Sequence, residues 1–246
     1  MSPRLSRMDL FDRQWATYRT VVDHDLMEHR QLTGAINAEI QAWLTGRDEG
    51  AGLPRMVDLG CGDLGVLAPM LRTLPLGFYA GLDLIAQVLP KAQATLGPVD
   101  YACQWKTQDL MDWAAAEPGP EQVHLLHSSF ALHHLSEAAK LRFLQLAHRQ
   151  LAPDGIFLWA DVFRDPGETR EDYLERYVER IHTTWTPLDS GQKQQVIEHI
   201  TTCDFPADRE AIAHQAEAAG WRWEWIWQGS HRAEALALLT PSTSGT

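Results

Sequence analysis

The run Val57-Asp58-Leu59-Gly60-Cys61-Gly62 constrains this 246-residue chain more than any other stretch. An apolar segment starting at Met56 meets an acid, then two glycines one residue apart, and a helical pattern of Leu64, Leu67, Ala68 and Leu71 follows. That order describes a strand, a tight turn and a helix, with bare backbone amides facing whatever binds above the strand's carboxyl end. Two more acids stand at the ends of apolar runs: Asp83 in Gly81-Leu82-Asp83-Leu84 and Asp109 in Thr107-Gln108-Asp109-Leu110.

From residue 53 onward, strand and helix patterns alternate. Strands are expected over 55–59, 78–83, 99–103, 122–127 and 156–161. Helices are expected between them, over 64–73, 86–96, 110–116 and 136–151, with Ser136 as the cap of the last. Units of this length build a doubly wound parallel sheet. Three more helices follow, over 168–183, 190–200 and 207–219, and then Trp221 to Trp227 alternates as a strand whose partner is 235–239. Ahead of the core, two helices are predicted between Met8 and Gly46, the first carrying Phe11, Trp15, Tyr18, Val22, Leu26 and His29 on one stripe. The fold class is therefore α/β: a Rossmann-like, doubly wound seven-stranded sheet, mostly parallel with an antiparallel last strand, and helical lid additions. The expected division is an N-terminal helical lid (1–50), a cofactor-binding core (51–165), a helical insertion (166–205), a closing helix and hairpin (206–240) and a tail (241–246).

Composition excludes some functions. A net charge of −12 argues against a nucleic-acid substrate, because phosphate contacts need clustered Lys and Arg. Three scattered cysteines, Cys61, Cys103 and Cys203, point to reduced thiols in a cytoplasmic protein. No apolar run reaches membrane-spanning length, and no signal-peptide core is visible. A monomer or homodimer with a small-molecule substrate is expected.

Gly60, Gly62 and Gly65 also spell G-x-G-x-x-G, the dinucleotide fingerprint, which keeps an NAD(P)-dependent oxidoreductase as an alternative. Chemistry around the turn separates the two readings. A pyrophosphate wants amide donors and no nearby carboxylate, whereas Asp58 and Asp63 flank this turn. A sulfonium-bearing nucleoside tolerates both acids. Taken together, segments 57–65, 81–84, 107–110, 127–135 and 151–161 resemble class I S-adenosylmethionine-dependent methyltransferases, small-molecule type. One departure from the family pattern is Leu64, which stands where the third glycine of the turn is usual.

The resemblance implies S-adenosyl-L-methionine as cofactor and contacts to it from Asp58, Gly60, Cys61 and Gly62 at the turn. It further implies Asp83 with Leu84 at the ribose, Asp109 with Leu110 at the adenine edge, and His127 with Ser128 beside the methionine moiety. Asp83 and Asp109 can equally be helix caps. His133 and His134 suit a general base, or else an anchor of the loop after the fourth strand. Asp161 can steer an amine, accept a proton or cap a turn. No metal is expected, since no third ligand is spaced to join the histidine pair. Tyr18, His29, Tyr173 and Tyr177 are candidate substrate contacts from the lid helices, by cation–π or packing. A cofactor-binding scaffold without turnover is the non-enzymatic alternative.

Overall fold

The computed structural model describes residues 7–48 and 50–242, with 7–14 described by their helical backbone alone. The side chain of Phe11 and the tail beyond 242 lie outside the described residues. The elements run α1 (Arg7–Asp23), α2 (His29–Thr45), β1 (Arg55–Leu59), α3 (Ala68–Leu71), β2 (Phe78–Asp83), α4 (Leu89–Leu96) and β3 (Ala102–Thr107). They continue α5 (Leu110–Ala115), β4 (Val123–Ser129), α6 (Glu137–Ala147), β5 (Leu151–Arg164), α7 (Arg170–Thr184) and α8 (Ser190–Cys203). The chain closes with β6 (Ala207–Asp208), α9 (Arg209–Ala218), β7 (Trp221–Gln228) and β8 (Glu234–Pro241).

Seven strands form one sheet in the order β3-β2-β1-β4-β5-β8-β7, and the two-residue β6 pairs β5 off this path. The first five are parallel, while β8 runs antiparallel between β5 and β7. Strand order reverses at β1 and β4, so the crevice for a ligand opens beyond their carboxyl ends.

Two apolar layers cover the sheet. One gathers Phe143, Leu144, Phe157, Trp159 and Trp221 under α6 and α9. The other gathers Met56, Leu71, Tyr79 and Leu158 with Leu32, Ile36 and Ile40, so α2 belongs to the core layer beside α3 and α4. A third cluster joins Val21 of α1, Val162 and the helices α7 and α8 through Tyr173, Tyr177, Ile181, Trp185 and Ile200. Under it lies a buried ion pair. Arg180 donates to both Glu234 carboxylate oxygens at 2.7 and 2.9 Å, Tyr177 donates at 3.2 Å, and Arg180 also reaches the Leu26 carbonyl at 2.7 Å.

Several elements differ from the sequence pattern. α1 ends at Asp23, so Leu26 lies in the connection and His29 opens α2, and neither continues the stripe of the first helix. β3 is Ala102–Thr107 and not 99–103: Tyr101 is drawn out of the strand, its hydroxyl donating to the Leu71 carbonyl at 2.9 Å. α3 shrinks to four residues because Leu64 adopts a left-handed φ of 58° and Pro69 follows. β4 and β5 both run longer than the apolar periodicity indicates.

Candidate cofactor cleft

The glycine turn leaves β1 with Gly60 at φ 73° and Gly62 at φ 54°, backbone that an L side chain adopts only with strain. A Cβ on Gly60 would stand 2.6 Å from the Ala131 Cβ, so the turn and the loop after β4 pack backbone to side chain without room to spare. Backbone amides of Gly60 and Cys61 donate to the Leu82 carbonyl at 2.8 and 3.0 Å, tying the turn to the end of β2. Leu64, where a third glycine is usual in the family, holds the same left-handed backbone that glycine would supply.

Asp58 lies under this turn, not in it. Its Oδ2 accepts from the Tyr79 hydroxyl at 2.9 Å, and its Oδ1 faces His127 Nδ1 at 2.7 Å. Both Asp58 and His127 are 1% exposed. Burial, and after it the Asp58 charge, drives the Tyr79 phenol well above its ordinary pKa. Asp58 therefore acts through its neighbours, fixing β1 against β2 and β4. Cys61 is also buried, and burial with the Asp58 and Asp83 charges pushes its thiol up, so it stays protonated.

Asp83 closes β2 at the edge of the crevice. Its Oδ2 accepts from the Gly62 amide at 3.0 Å and its Oδ1 from the Ile85 amide at 2.8 Å. Burial raises its pKa, with the two amides pulling the other way. Beside it, Leu84 is 64% exposed and Ile85 is also exposed, an apolar rim next to a carboxylate. Asp109 caps α5, its Oδ1 accepting from Met111 and Asp112 amides at 2.6 and 3.3 Å, while Leu110 packs against the sheet's core layer.

β4 runs two residues beyond its expected end, so His127 and Ser128 sit inside the strand. Ser128 is fully buried, its hydroxyl donating to the Leu59 carbonyl at 3.1 Å. The first residues past the strand are Phe130, at a left-handed φ of 52°, and Ala131. His29 meets the Phe130 ring edge-on at 5.3 Å, and burial lowers its pKa to about 4.

Helix α1 roofs the turn. The Tyr18 hydroxyl stands 3.9 Å from where a Gly62 Cβ would be, and Arg19 pairs with Asp63 at 3.0 Å. The Tyr18 ring is 41% exposed at the rim, yet crowding of its hydroxyl, and then the Asp63 charge, push its pKa up. Trp15 stands beside it, 5.3 Å between ring centres. Tyr173 and Tyr177 are buried in the third cluster, Tyr177 held by Glu234.

His133 and Asp161 form a closed pair below the loop after β4. His133 Nδ1 is 2.5 Å from Asp161 Oδ1, and the His133 amide donates to Oδ2 at 3.0 Å. The Trp159 indole and the Val162 amide also donate to Asp161, at 3.0 and 2.9 Å. Against the cost of burial, the facing charges hold His133 above and Asp161 below their ordinary pKa values. His134 is 43% exposed along its side chain and turns toward the carboxyl end of α8.

Arg19, Tyr79, Phe130, Ala131 and Asp204 are parts of this region that the sequence pattern does not signal. Each gains its position from packing between distant elements. Phe130, the first residue past β4, is left-handed with no glycine there to mark the turn.

The cradle fits S-adenosylmethionine: a turn in left-handed backbone that side chains avoid, where the nearby cation Arg19 is neutralised by Asp63, beside a strand-end carboxylate and an apolar rim. A methyltransferase-domain family model matches residues 56–155, which span β1 through the start of β5. No curated protein sequence matches the chain. Among solved structures, the mitomycin 7-O-methyltransferase MmcR is similar at TM-score 0.56 and 16% identity, over 85% of this chain and 53% of its own. The CurJ carbon methyltransferase is similar at TM-score 0.58 and 14% identity, over 81% and 51%. The protein complexed with the Trm112 methyltransferase activator of Haloferax volcanii matches at TM-score 0.57 and 16% identity, over 93% and 96%. This chain thus spans about half the length of the first two. At such identities the likeness is one of fold, and it agrees with the sheet order β3-β2-β1-β4-β5-β8-β7. No described helix is long and apolar enough to cross a membrane. The turn, the strand-end acids and the family match agree: the chain carries a class I S-adenosylmethionine-dependent methyltransferase domain.

Proposed function

We propose that this protein transfers the methyl group of S-adenosylmethionine to an oxygen or nitrogen atom of a small metabolite. The observation that carries the reading is the roof over the glycine turn, where Tyr18 stands above Gly62 and Arg19 is paired to Asp63. A turn covered by a helix admits a compact acceptor more readily than a folded macromolecular surface. The O-methyltransferase named among the structural neighbours supports an oxygen acceptor, and the carbon methyltransferase marks the competing outcome.

When bound, the cofactor supplies a methyl group already activated by its sulfonium. The protein's part is then alignment and exclusion of water. Asp83 would accept from the ribose hydroxyls, since a carboxylate has lone pairs for both and still keeps its amide bonds. With its three amides already bonded to the Leu82 carbonyl and the Asp83 carboxylate, the Gly60–Gly62 turn would receive the amino-acid end on its open backbone face, its carbonyl oxygens toward the ammonium, and Leu84 with Ile85 would receive the adenine. Asp109 and Leu110 would flank the base from the start of α5. Tyr18 keeps its proton, so it offers the acceptor a hydroxyl hydrogen bond and not a phenolate charge. His29, held neutral by burial, lines the wall beside Phe130. Tyr173 and Tyr177, buried in the cluster that Phe130 packs against, would back that wall and not touch the acceptor. His133 and Asp161 hold the loop after β4 in place.

The test is incubation of the full chain with methyl-labelled S-adenosylmethionine and a metabolite extract, with products separated by mass. Calorimetry with S-adenosylhomocysteine and with NADH runs alongside. Label in a small O- or N-methylated product supports the reading. Label confined to macromolecules, or binding of NADH without S-adenosylhomocysteine, overturns it.

A further inference from the structure

The carboxyl end of α8 lowers Asp204 onto the tight turn Leu132–His134, far from it in sequence. Asp204 Oδ1 lies 3.4 Å from His134 Nδ1, 3.5 Å from His133 Nε2 and 3.6 Å from His199 Nε2. That oxygen is buried and has no hydrogen-bond partner among the described residues. A buried carboxylate oxygen left without a donor, yet faced by three imidazole nitrogens, is costly unless something sits between them.

We propose that His133, His134 and Asp204, with His199 as fourth ligand, bind a divalent cation of the zinc type. Tetrahedral coordination at about 2.0–2.1 Å places ligand atoms roughly 3.3–3.4 Å apart, close to the three edges that meet at Asp204. The donor atoms of His133, His134 and Asp204 all lie within 4.8 Å of one another, so small rotations close the edge between the two histidines, while the half-exposed His199 has to swing further to complete the set. Imidazole and carboxylate donors suit zinc and its transition-metal neighbours over magnesium or calcium.

The surroundings of His133 match the second layer that such sites use. Its Nδ1 is engaged by Asp161, itself fixed by the Trp159 indole and the Val162 amide, which leaves the Nε2 lone pair for the cluster. Charge points the same way. Asp161 and Asp204 are two buried carboxylates, and the nearby Lys140 ammonium is spent on the Leu135 and Phe205 carbonyls. Arg170 donates to the backbone carbonyls of Asp204 and Thr201, at 2.8 and 2.7 Å, and not to the Asp204 carboxylate. An ion here would join α8 to the loop after β4, stapling the insertion to the core. The site uses no residue of the glycine turn, and its assignment does not rest on the methyl-transfer reading.

Zinc titration by calorimetry of the full, chelator-stripped chain tests this. One equivalent is expected to bind, with affinity falling at least tenfold in His134→Ala, His199→Ala and Asp204→Asn and unchanged in His24→Ala and His231→Ala. Cobalt(II) is expected to show the intense visible bands of tetrahedral coordination, lost in His134→Ala. His134 and His199 are half-exposed, so their variants stay folded even if Asp204→Asn does not. Zinc binding that is absent, or that survives His134→Ala and His199→Ala undiminished, overturns the proposal.

Discussion

His127 Nδ1 rests 2.7 Å from Asp58 Oδ1, one buried side chain of β4 holding one of β1 across the point where strand order reverses. The pair explains why an acid is needed two residues before the turn although it never reaches the surface. Asp58→Ala strands the imidazole and the Tyr79 hydroxyl in the sheet and should cost about 3–5 kcal/mol, with cofactor binding lost as the turn loosens. Tyr79→Phe removes a single bond, about 1 kcal/mol, and should leave the affinity for S-adenosylhomocysteine within threefold. Urea unfolding and calorimetry on both variants decide the matter; equal losses in the two would mean that the carboxylate has no special place.

Asp83 differs because its carboxylate stands at the crevice. Asp83→Ala should raise the dissociation constant for S-adenosylhomocysteine more than tenfold, about 1.4 kcal/mol or more, with Asp83→Asn between it and the parent. An unchanged constant would remove Asp83 from the cofactor site.

Leu64 offers a test of backbone strain. At φ 58° an L residue pays roughly 1–2 kcal/mol that glycine avoids, while the buried leucine side chain contributes more than that in return. Both Leu64→Ala and Leu64→Gly should destabilise, but the glycine variant should be the more stable of the two by about 1 kcal/mol. That inverts the usual order for a buried position. Chemical denaturation of the pair is sufficient, and alanine ahead of glycine would contradict the assignment.

His29 gives a pH dependence. Its folded pKa, lowered by burial to about 4, lies below the value of the unfolded chain, so between them only the unfolded state takes up the proton. Its contribution is intact above pH ~6.5 and is lost as pH falls toward ~4, at roughly 1.4 kcal/mol per unit and on the order of 3 kcal/mol in all. Denaturation of the parent and of His29→Gln from pH 7 to pH 4 should show a difference in slope over that window. Parallel curves would place the imidazole in water.

What the sequence reveals here is what short stretches encode. The β1 turn, the strand-end acids and the alternation of strand and helix are local, and the sheet follows from them with the strand bounds of β1 and β2 read directly. Where a distant contact decides, the pattern misleads. Tyr101 looks like strand and is pulled away by the Leu71 carbonyl, and Leu64 looks helical while its backbone is left-handed. The N-terminal segment reads as one lid, yet α2 is seated in the core layer through Leu32, Ile36 and Ile40, and only α1 overlies the turn. No spacing rule places Asp204 beside His133 and His134, because the intervening helices α7 and α8 first have to fold.

Glu234 bears on how an acceptor gets in and out. Its carboxylate is wholly enclosed and neutralised by Arg180 of α7, which also grips the α1–α2 connection at Leu26. Lifting α7 would abandon a bare anion inside the protein, a penalty of several kcal/mol, so that helix cannot serve as a door. Traffic through the crevice is left to α1, whose one described charged tie to the turn, Arg19 to Asp63, is partly in water and cheap to break.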